Sequence, residues 1–202
     1  MAVATEEDVR GIITKERAAK IYRAHAKAWK DWWDNPLRLE YSHWPRTRAC
    51  MIFERLRARL IEEFSDDHGA RFHFQDETFK LILDDKLLIR FKKADDKGLG
   101  ANVRTQAVFN FCEAQSDIPG LPGVMKVEIV HTLNITQSAL GNVIVQARDG
   151  KMKLWAYNID AMDVSAQVFQ LPTRSTVAPA AIEDLVNPRK SERKEESEDE
   201  KE

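Results

Sequence analysis

The apolar residues of this 202-residue chain change their spacing near Gly69, and this change constrains the fold more than any other feature. Before Gly69 they recur at intervals of three and four residues, which is typical of an α-helix. After Gly69 they alternate with polar residues, which is typical of a β-strand. The sequence therefore predicts a single α+β domain over residues 1–160, with a helical part at 1–68 and a sheet part at 69–160.

Two long helices are predicted in the helical part. Thr5 is placed to cap the first helix, because three acidic residues follow it and favour the positive end of the helix dipole. We expect this helix to continue to about Trp33, before the stop signal at Asn35-Pro36. The second helix is expected to begin between Ser42 and Pro45 and to be closed by Gly69.

The sheet part begins with three short strand patterns, "ARFHFQ", "TFKLILDD" and "KLLIRFKK". In the third pattern, side chains alternate between two faces. One face carries Leu87, Ile89 and Phe91, and the other carries Leu88, Arg90 and Lys92. The second face is expected to contact solvent or a partner.

One further helix and three further strands complete the predicted domain. Asn102 is placed to cap the helix, whose apolar residues are Val103, Ala107, Val108, Phe111 and Cys112. The region from Val124 to Ile159 reads as an antiparallel continuation of the sheet. Asp149-Gly150 is its strongest hairpin signal. The sequence thus predicts a mostly antiparallel sheet with one inserted helix.

The segment "QSDIPGLPG" at 115–123 contains two Pro-Gly pairs. Each pair favours a rigid turn, because Pro fixes φ and Gly accepts the positive φ that follows. The favoured interpretation is a fixed chain path from the inserted helix back into the sheet. The alternative is a surface loop that contacts a partner through Leu121.

An extended arm over residues 161–186 and a disordered charged tail over 187–202 are predicted after the domain. The tail ends in "RKSERKEESEDEKE", which has no apolar side chain to bury. Within the arm, "PAAIEDLV" is compatible with a short helix carrying Ile182, Leu185 and Val186 on one side. This helix either packs on its own domain or docks a partner, and the sequence leaves both interpretations open.

The balance of charge argues against strong attraction of the whole chain to nucleic acid or to a membrane. The chain has 31 Lys and Arg against 33 Asp and Glu, a formal net charge of −2. No secretory signal or membrane-spanning run is recognisable, so a cytoplasmic location is expected. Cys50 and Cys112 lie in apolar helical patterns and are predicted to be buried free thiols.

No catalytic, metal-binding or cofactor-binding motif is evident, so the sequence argues against an enzyme. The histidines have no zinc spacing, and neither a nucleophile elbow nor a phosphate-binding loop is present. A degenerate metal-dependent nuclease using Asp84 or Asp85 with Lys92 is one alternative. Arg90 stands where such a site needs an acid, and Glu128 beside Lys126 would replace it only after a rearrangement.

A basic stripe on the second helix offers another alternative. Arg48, Arg55 and Arg59 share one side by their spacing, and four tryptophans lie just upstream. With Arg90 and Lys92, these arginines are candidates for binding nucleic acid. The favoured interpretation is that the tryptophans are in the core and that the arginines pair with nearby glutamates.

The order of features from Phe72 to Ile159 resembles an uncharacterised bacterial family. The matching features are a basic strand "IRFKK", a helix start at Asn102 and Thr105, a loop with Gln115 and "IPGLP", and a hairpin near Trp155. Val108 replaces the family's alanine and Ile118 its leucine, and the Gly-Tyr pair before the last hairpin is missing. The resemblance covers less than half of the chain.

The resemblance implies a partner and no activity. Such proteins resemble products of mobile-element operons that also encode helix-turn-helix repressors and zinc peptidases of the ImmA/IrrE type, in toxin–antitoxin-like or phage-defence settings. The leading prediction is therefore a non-enzymatic protein-interaction component of a bacterial regulatory or defence module, with Leu121, Ile182, Leu185 and Val186 as candidate contacts. The sequence leaves open whether the chain forms a homo-oligomer.

Overall fold

A computed structural model of the protein describes residues 4–40, 44–75, 78–101, 106–113 and 123–159. The chain divides into two units, Met1–Ala166 and Gln167–Glu202, and all described residues belong to the first. The predicted arm and tail therefore lie outside the described residues. So do Ser42, Asn102, Thr105, Gln115 and Leu121, together with Ile182, Leu185 and Val186.

The first predicted helix is two helices, α1 (Glu6–Ile12) and α2 (Lys15–Trp33). The predicted cap at Thr5 is confirmed, since its side chain accepts a hydrogen bond from the Asp8 backbone N–H. The prediction of one continuous helix is wrong because Thr14 caps a new helix, accepting from the Arg17 N–H. A cap of this kind needs an extended backbone, which interrupts the helical run.

Two more helices precede the sheet. They are the short α3 (Leu37–Glu40) and the long α4 (Pro45–Glu63), which begins within the predicted window. Helices α2 and α4 pack against each other. Asp31 of α2 pairs with Arg59 of α4, which fixes the side of α4 that faces α2.

The six strands follow one another in space in the same order as in the chain. They are β1 (Ala70–Gln75), β2 (Thr78–Leu83), β3 (Leu87–Lys93), β4 (Met125–Leu133), β5 (Leu140–Asp149) and β6 (Met152–Asn158). The α+β class and the mostly antiparallel sheet are confirmed. Gly150 follows Asp149 at the β5–β6 turn with φ of 56°, as the hairpin signal predicts.

Strands β3 and β4 form the one parallel pair among the described strands. The prediction that β4 continues the sheet in antiparallel fashion is wrong at this junction. Helix α5 (Gln106–Cys112) lies in the connection between the two strands, and a crossover of this type returns the chain in parallel. The carboxyl ends of β3 and β4 consequently meet at one edge of the sheet.

Both faces of the sheet bury apolar side chains. The main core lies between one face and the helices α1, α2 and α4, and includes Ile21, Leu56, Leu60, Phe79 and Phe91. On the other face a smaller core contains Ile82, Leu88, Phe111, Cys112 and Val124. The expectation that Leu88 and Arg90 face solvent or a partner is wrong, because both are buried on the face where Phe111 and Cys112 of α5 pack.

The tryptophans and cysteines divide between core and surface. Trp29 and Trp32 are buried, as the favoured interpretation required, but that interpretation is wrong for Trp33 and Trp44, which are 40% and 80% exposed. Cys112 is a buried free thiol, as predicted. The prediction for Cys50 is wrong, since this thiol is exposed on α4.

Candidate functional groove

A groove with a volume of about 660 Å³ lies between α4 and the carboxyl ends of β3 and β4. We call it the α4 groove. Its apolar lining consists of Ala49, Ile52, Phe53, Leu56 and Leu133. Its cationic lining consists of Arg46, Arg48, Arg57, Lys92 and Lys93. The volume lies in the range of ordinary ligand pockets, and the lining combines apolar contact with positive charge.

The fold explains why cationic side chains meet here. Lys92 and Lys93 end β3, and the parallel register places Lys93 beside His131 of β4. Crevices outside the carboxyl ends of parallel strands are common binding sites in open sheets. Arg46 and Arg57 are eleven residues apart, about three helical turns, and therefore share the side of α4 that lines the groove.

One carboxylate, Glu54, also lines the α4 groove. Its Oε2 lies 2.7 Å from Nη2 of Arg57, so this pair is locally neutral. Arg48 donates a hydrogen bond to the Gln137 side chain in the β4–β5 loop. The groove therefore has a net positive charge, contributed chiefly by Arg46, Arg48, Lys92 and Lys93.

Lys92 is half-buried at the sheet end of the groove. Its Nζ lies 6.0 Å from the centre of the Phe53 ring. Burial lowers the pKa of the Lys92 ammonium, and the neighbouring Arg90 lowers it further, while Glu128 and Cys112 oppose this effect. No carboxylate forms a salt bridge with Lys92 in the part of the chain that the structure describes.

Glu128, the acidic residue of the neighbouring strand, is already paired with other cations. This carboxylate is 0% exposed and forms ion pairs with Arg90 and, at 3.3 Å, with Arg148. It also accepts hydrogen bonds of 3.3 Å from the Gln146 side chain and the Gly100 backbone N–H. Burial alone would raise the pKa of Glu128, but its two arginines outweigh burial and hold the pKa below its usual value.

We call Glu128, Arg90, Arg148 and Gln146 the Glu128 cluster. The Arg90 guanidinium also lies 4.3 Å from the centre of the Phe111 ring. Sequence reasoning considered Glu128 only as a substitute metal ligand and missed this cluster. The available signal was a charge inside an apolar run, "KVEIV", opposite another in "LLIRF", since buried charges require partners.

His131 forms the wall between the α4 groove and the core. Its ring centre lies 5.6 Å from that of His25, and both residues are buried. Burial lowers the pKa of His25 to about 4, although its hydrogen bond with the Ile21 carbonyl opposes this. Burial, the neighbouring His25 and Lys93 lower the pKa of His131 to about 3. Both imidazoles are therefore neutral near pH 7.

The predicted nucleic-acid residues do not form one surface. Arg59 is bound by Asp31 and Glu62, each at 2.8 Å, on the side of α4 that faces α2. Arg90 is buried in the Glu128 cluster, and Arg55 is exposed away from the groove. Only Arg48 and Lys92 of the five predicted residues line the α4 groove.

The predicted nuclease residues are also separated. Asp84 is bound by Arg17 and Asp85 by Arg71, and both lie in the turn before β3. Lys92 lies roughly 16 Å along β3 from the first strand residue, at about 3.3 Å per residue. Lys126 donates to the backbone carbonyls of Asn110 and Glu113 instead of facing a metal site. These residues therefore do not form a single site.

The described residues contain neither a metal centre nor a membrane-spanning helix. No group of three or more His, Cys, Asp or Glu among them is placed to hold a metal ion. None of the helices described is both long and apolar enough to span a bilayer. Comparisons of the chain with protein-family models, curated proteins and solved structures found no match.

Proposed function

We propose that this protein is a non-enzymatic binding protein, and that its α4 groove receives an acidic, amphipathic segment of a partner protein. The observation that carries the proposal is the combination of an apolar floor with cationic side chains at both ends. Arg46 and Arg48 lie at the start of α4, and Lys92 and Lys93 lie at the end of β3. An amphipathic segment matches both features, because its apolar side covers the floor while its carboxylates face the cations.

The aliphatic part of the lining favours an acidic protein segment over a nucleic acid. Nucleic-acid surfaces present cations that track a phosphate backbone, usually with exposed aromatic rings for stacking. Here Arg59 and Arg90 are already neutralised by buried or partly buried carboxylates. The lining that remains is largely aliphatic, apart from Phe53, and suits the core of a protein interface.

The cellular setting is proposed on the resemblance alone. A bacterial regulatory, toxin–antitoxin-like or phage-defence module would supply a protein partner encoded nearby. The candidate contacts Leu121, Ile182, Leu185 and Val186 stay predictions, since they lie outside the described residues.

The proposal is tested by site-specific photo-crosslinking of the full chain in its native host. A photoreactive amino acid replaces Ala49, which is exposed and lines the α4 groove. The same amino acid at Ala58, which is exposed on α4 but does not line the groove, provides the matched control. Crosslinked products are then identified by mass spectrometry.

We expect position 49, and not position 58, to crosslink to a protein segment that alternates apolar and acidic residues. Equal crosslinking at both positions would contradict the proposal, as would a partner segment without acidic residues. Crosslinks to nucleic acid at position 49 would overturn it in favour of the alternative function.

A further inference from the structure

Lys92 has an unusual environment for a lysine on a ligand-sized cavity. It lines the α4 groove, is half-buried, and lies above the Phe53 ring. The carboxylate nearest in the sheet, Glu128, is occupied by Arg90 and Arg148. Lys92 is therefore an amine in a cavity, and Arg90, a charged neighbour on the same strand, is another cation.

This combination of burial and a cationic neighbour is the one that activates lysines for covalent chemistry. Both effects disfavour the ammonium form, so a larger fraction of the side chain is a neutral, nucleophilic amine near pH 7. The lowered pKa of Lys92 agrees with this expectation from the geometry. An exposed lysine such as Lys97 or Lys151 has neither the cavity nor the covering ring.

We propose that Lys92 is a covalent binding site for a small carbonyl compound that carries a carboxylate, held as an imine in the α4 groove. The neutral Nζ attacks the carbonyl carbon, and a carbon–nitrogen double bond replaces the carbon–oxygen double bond. Both amine hydrogens leave with the carbonyl oxygen as one molecule of water. The step needs no oxidant, reductant or metal.

The groove explains the choice of a carboxylate on this ligand. Arg46, Arg48 and Lys93 line the same cavity as Lys92 and give it a net positive charge. Positive charge in a cleft raises the local concentration of an anionic ligand, so a carbonyl compound with a carboxylate is favoured over a neutral one. Phe53 and Leu133 also line this cavity and offer apolar contact to the rest of the ligand.

The test is reductive trapping on the full-length wild-type protein with limiting glyoxylate and cyanoborohydride at pH 7. Peptide mass spectrometry then gives the labelling rate at each lysine. Propionaldehyde, a neutral aldehyde, is used in parallel. Two variants serve as controls: Lys92→Arg removes the amine and keeps the charge, and Arg46→Gln removes an exposed groove cation at the start of α4.

We expect glyoxylate to label Lys92 several-fold faster than Lys97 and Lys151, because burial and the neighbouring Arg90 both enlarge the neutral fraction of the Lys92 amine. Arg46→Gln should slow glyoxylate labelling and leave propionaldehyde labelling unchanged. Equal rates at Lys92 and the two exposed lysines would overturn the proposal. The rate at Lys92 is compared with the rate at the two exposed lysines for each aldehyde. The same ratio for both aldehydes would overturn the assignment of a carboxylate to the ligand.

The result does not depend on the protein partner proposed above. The trapping reaction contains no partner, and the deciding rates are measured on wild-type protein, so a variant that fails to fold leaves them unaffected. Failure of trapping would leave the crosslinks at Ala49 unchanged, and failure of crosslinking would leave the trapping rates unchanged.

Discussion

Glu128 holds two arginines in a buried part of the sheet, and its energetic role follows from that position. Removing one partner of a buried ion pair leaves an uncompensated charge, which costs far more than breaking a surface pair. The parallel register places Arg90 directly beside Glu128, and Arg148 reaches it from β5. The cluster therefore links the three central strands β3, β4 and β5.

Glu128→Gln is predicted to destabilise the protein by about 3–5 kcal/mol, because Arg90 and Arg148 stay buried without a negative charge. The free energy of unfolding from urea titration measures this effect. Glu62→Gln is the matched control, since the Arg59–Glu62 pair is largely exposed and worth at most about 1 kcal/mol. Similar losses for both variants would contradict the assigned role of the cluster.

The buried histidines predict a loss of stability in mild acid. Their folded pKa values of about 4 and about 3 lie below the unfolded value near 6.5. Between pH 6.5 and pH 4 the unfolded chain therefore binds more protons than the folded chain. The stability from neutral His25 is fully present above pH 6.5 and decreases as the pH falls toward 4, by on the order of 3 kcal/mol.

Urea unfolding between pH 7 and pH 4.5 checks this prediction, because the carboxylates with lowered pKa values titrate at lower pH. His25→Phe should flatten the pH dependence while retaining an aromatic ring against Phe91. A wild-type protein whose free energy of unfolding is constant over this range would refute neutral burial of the two imidazoles.

Signals within a few residues were sufficient to predict most strands and helices. The alternation in "ARFHFQ" and "KLLIRFKK" predicted β1 and β3, and Asp149-Gly150 predicted the β5–β6 hairpin. Thr14 was missed as a second cap, because apolar residues on both sides of it share one helical pattern. A capping residue can separate two helices while the apolar residues on both sides keep the same helical spacing.

The parallel pairing of β3 with β4 could not be predicted from signals within a few residues. Their direction depends on where α5 returns the chain, and the contacts join residues more than 30 positions apart. The burial of Arg90 also depends on residues distant in the chain. Its alternation with Ile89 had predicted a face in contact with solvent. Only the placement of Phe111 and Cys112 on that face buries Arg90 and makes Glu128 necessary.

Gly123 offers a test of the turn that returns the chain into β4. Its φ is 75°, and a Cβ added there would meet no atom within 4 Å. Gly123→Ala should therefore cost about 1 kcal/mol through backbone strain alone. Thermal unfolding measures this loss.

Gly11→Ala is the matched control for that substitution. Gly11 lies in α1, and a Cβ there also meets no atom within 4 Å, but its backbone is helical. This variant should gain about 0.5–1 kcal/mol, since alanine favours a helix over glycine. A loss at Gly11 or a gain at Gly123 would contradict the backbone argument.

The α4 groove combines segments that are distant in the chain. Residues 45–57 supply one wall, residues 92–93 the sheet end, and residues 131 and 133 the opposite wall. Sequence reasoning identified Arg48 and Lys92, but it grouped Arg48 with Arg55 and Arg59 in a helical stripe and named Lys92 beside Arg90. The stripe left out Arg46 and Arg57, which lie on the side of α4 opposite Arg55 and Arg59. Both line the groove near the carboxyl ends of β3 and β4.

The role of the α4 groove in partner binding is tested by comparing the dissociation constant of the crosslinked partner for wild type, Ala49→Glu and Ala58→Glu. Both substitutions add one carboxylate to an exposed position of α4, and only the first adds it inside the groove. Ala49→Glu should weaken binding by about tenfold or more, because it opposes the partner's acidic residues, whereas Ala58→Glu should bind as wild type does. Equal dissociation constants for the three proteins would contradict the claim that the α4 groove is the binding site.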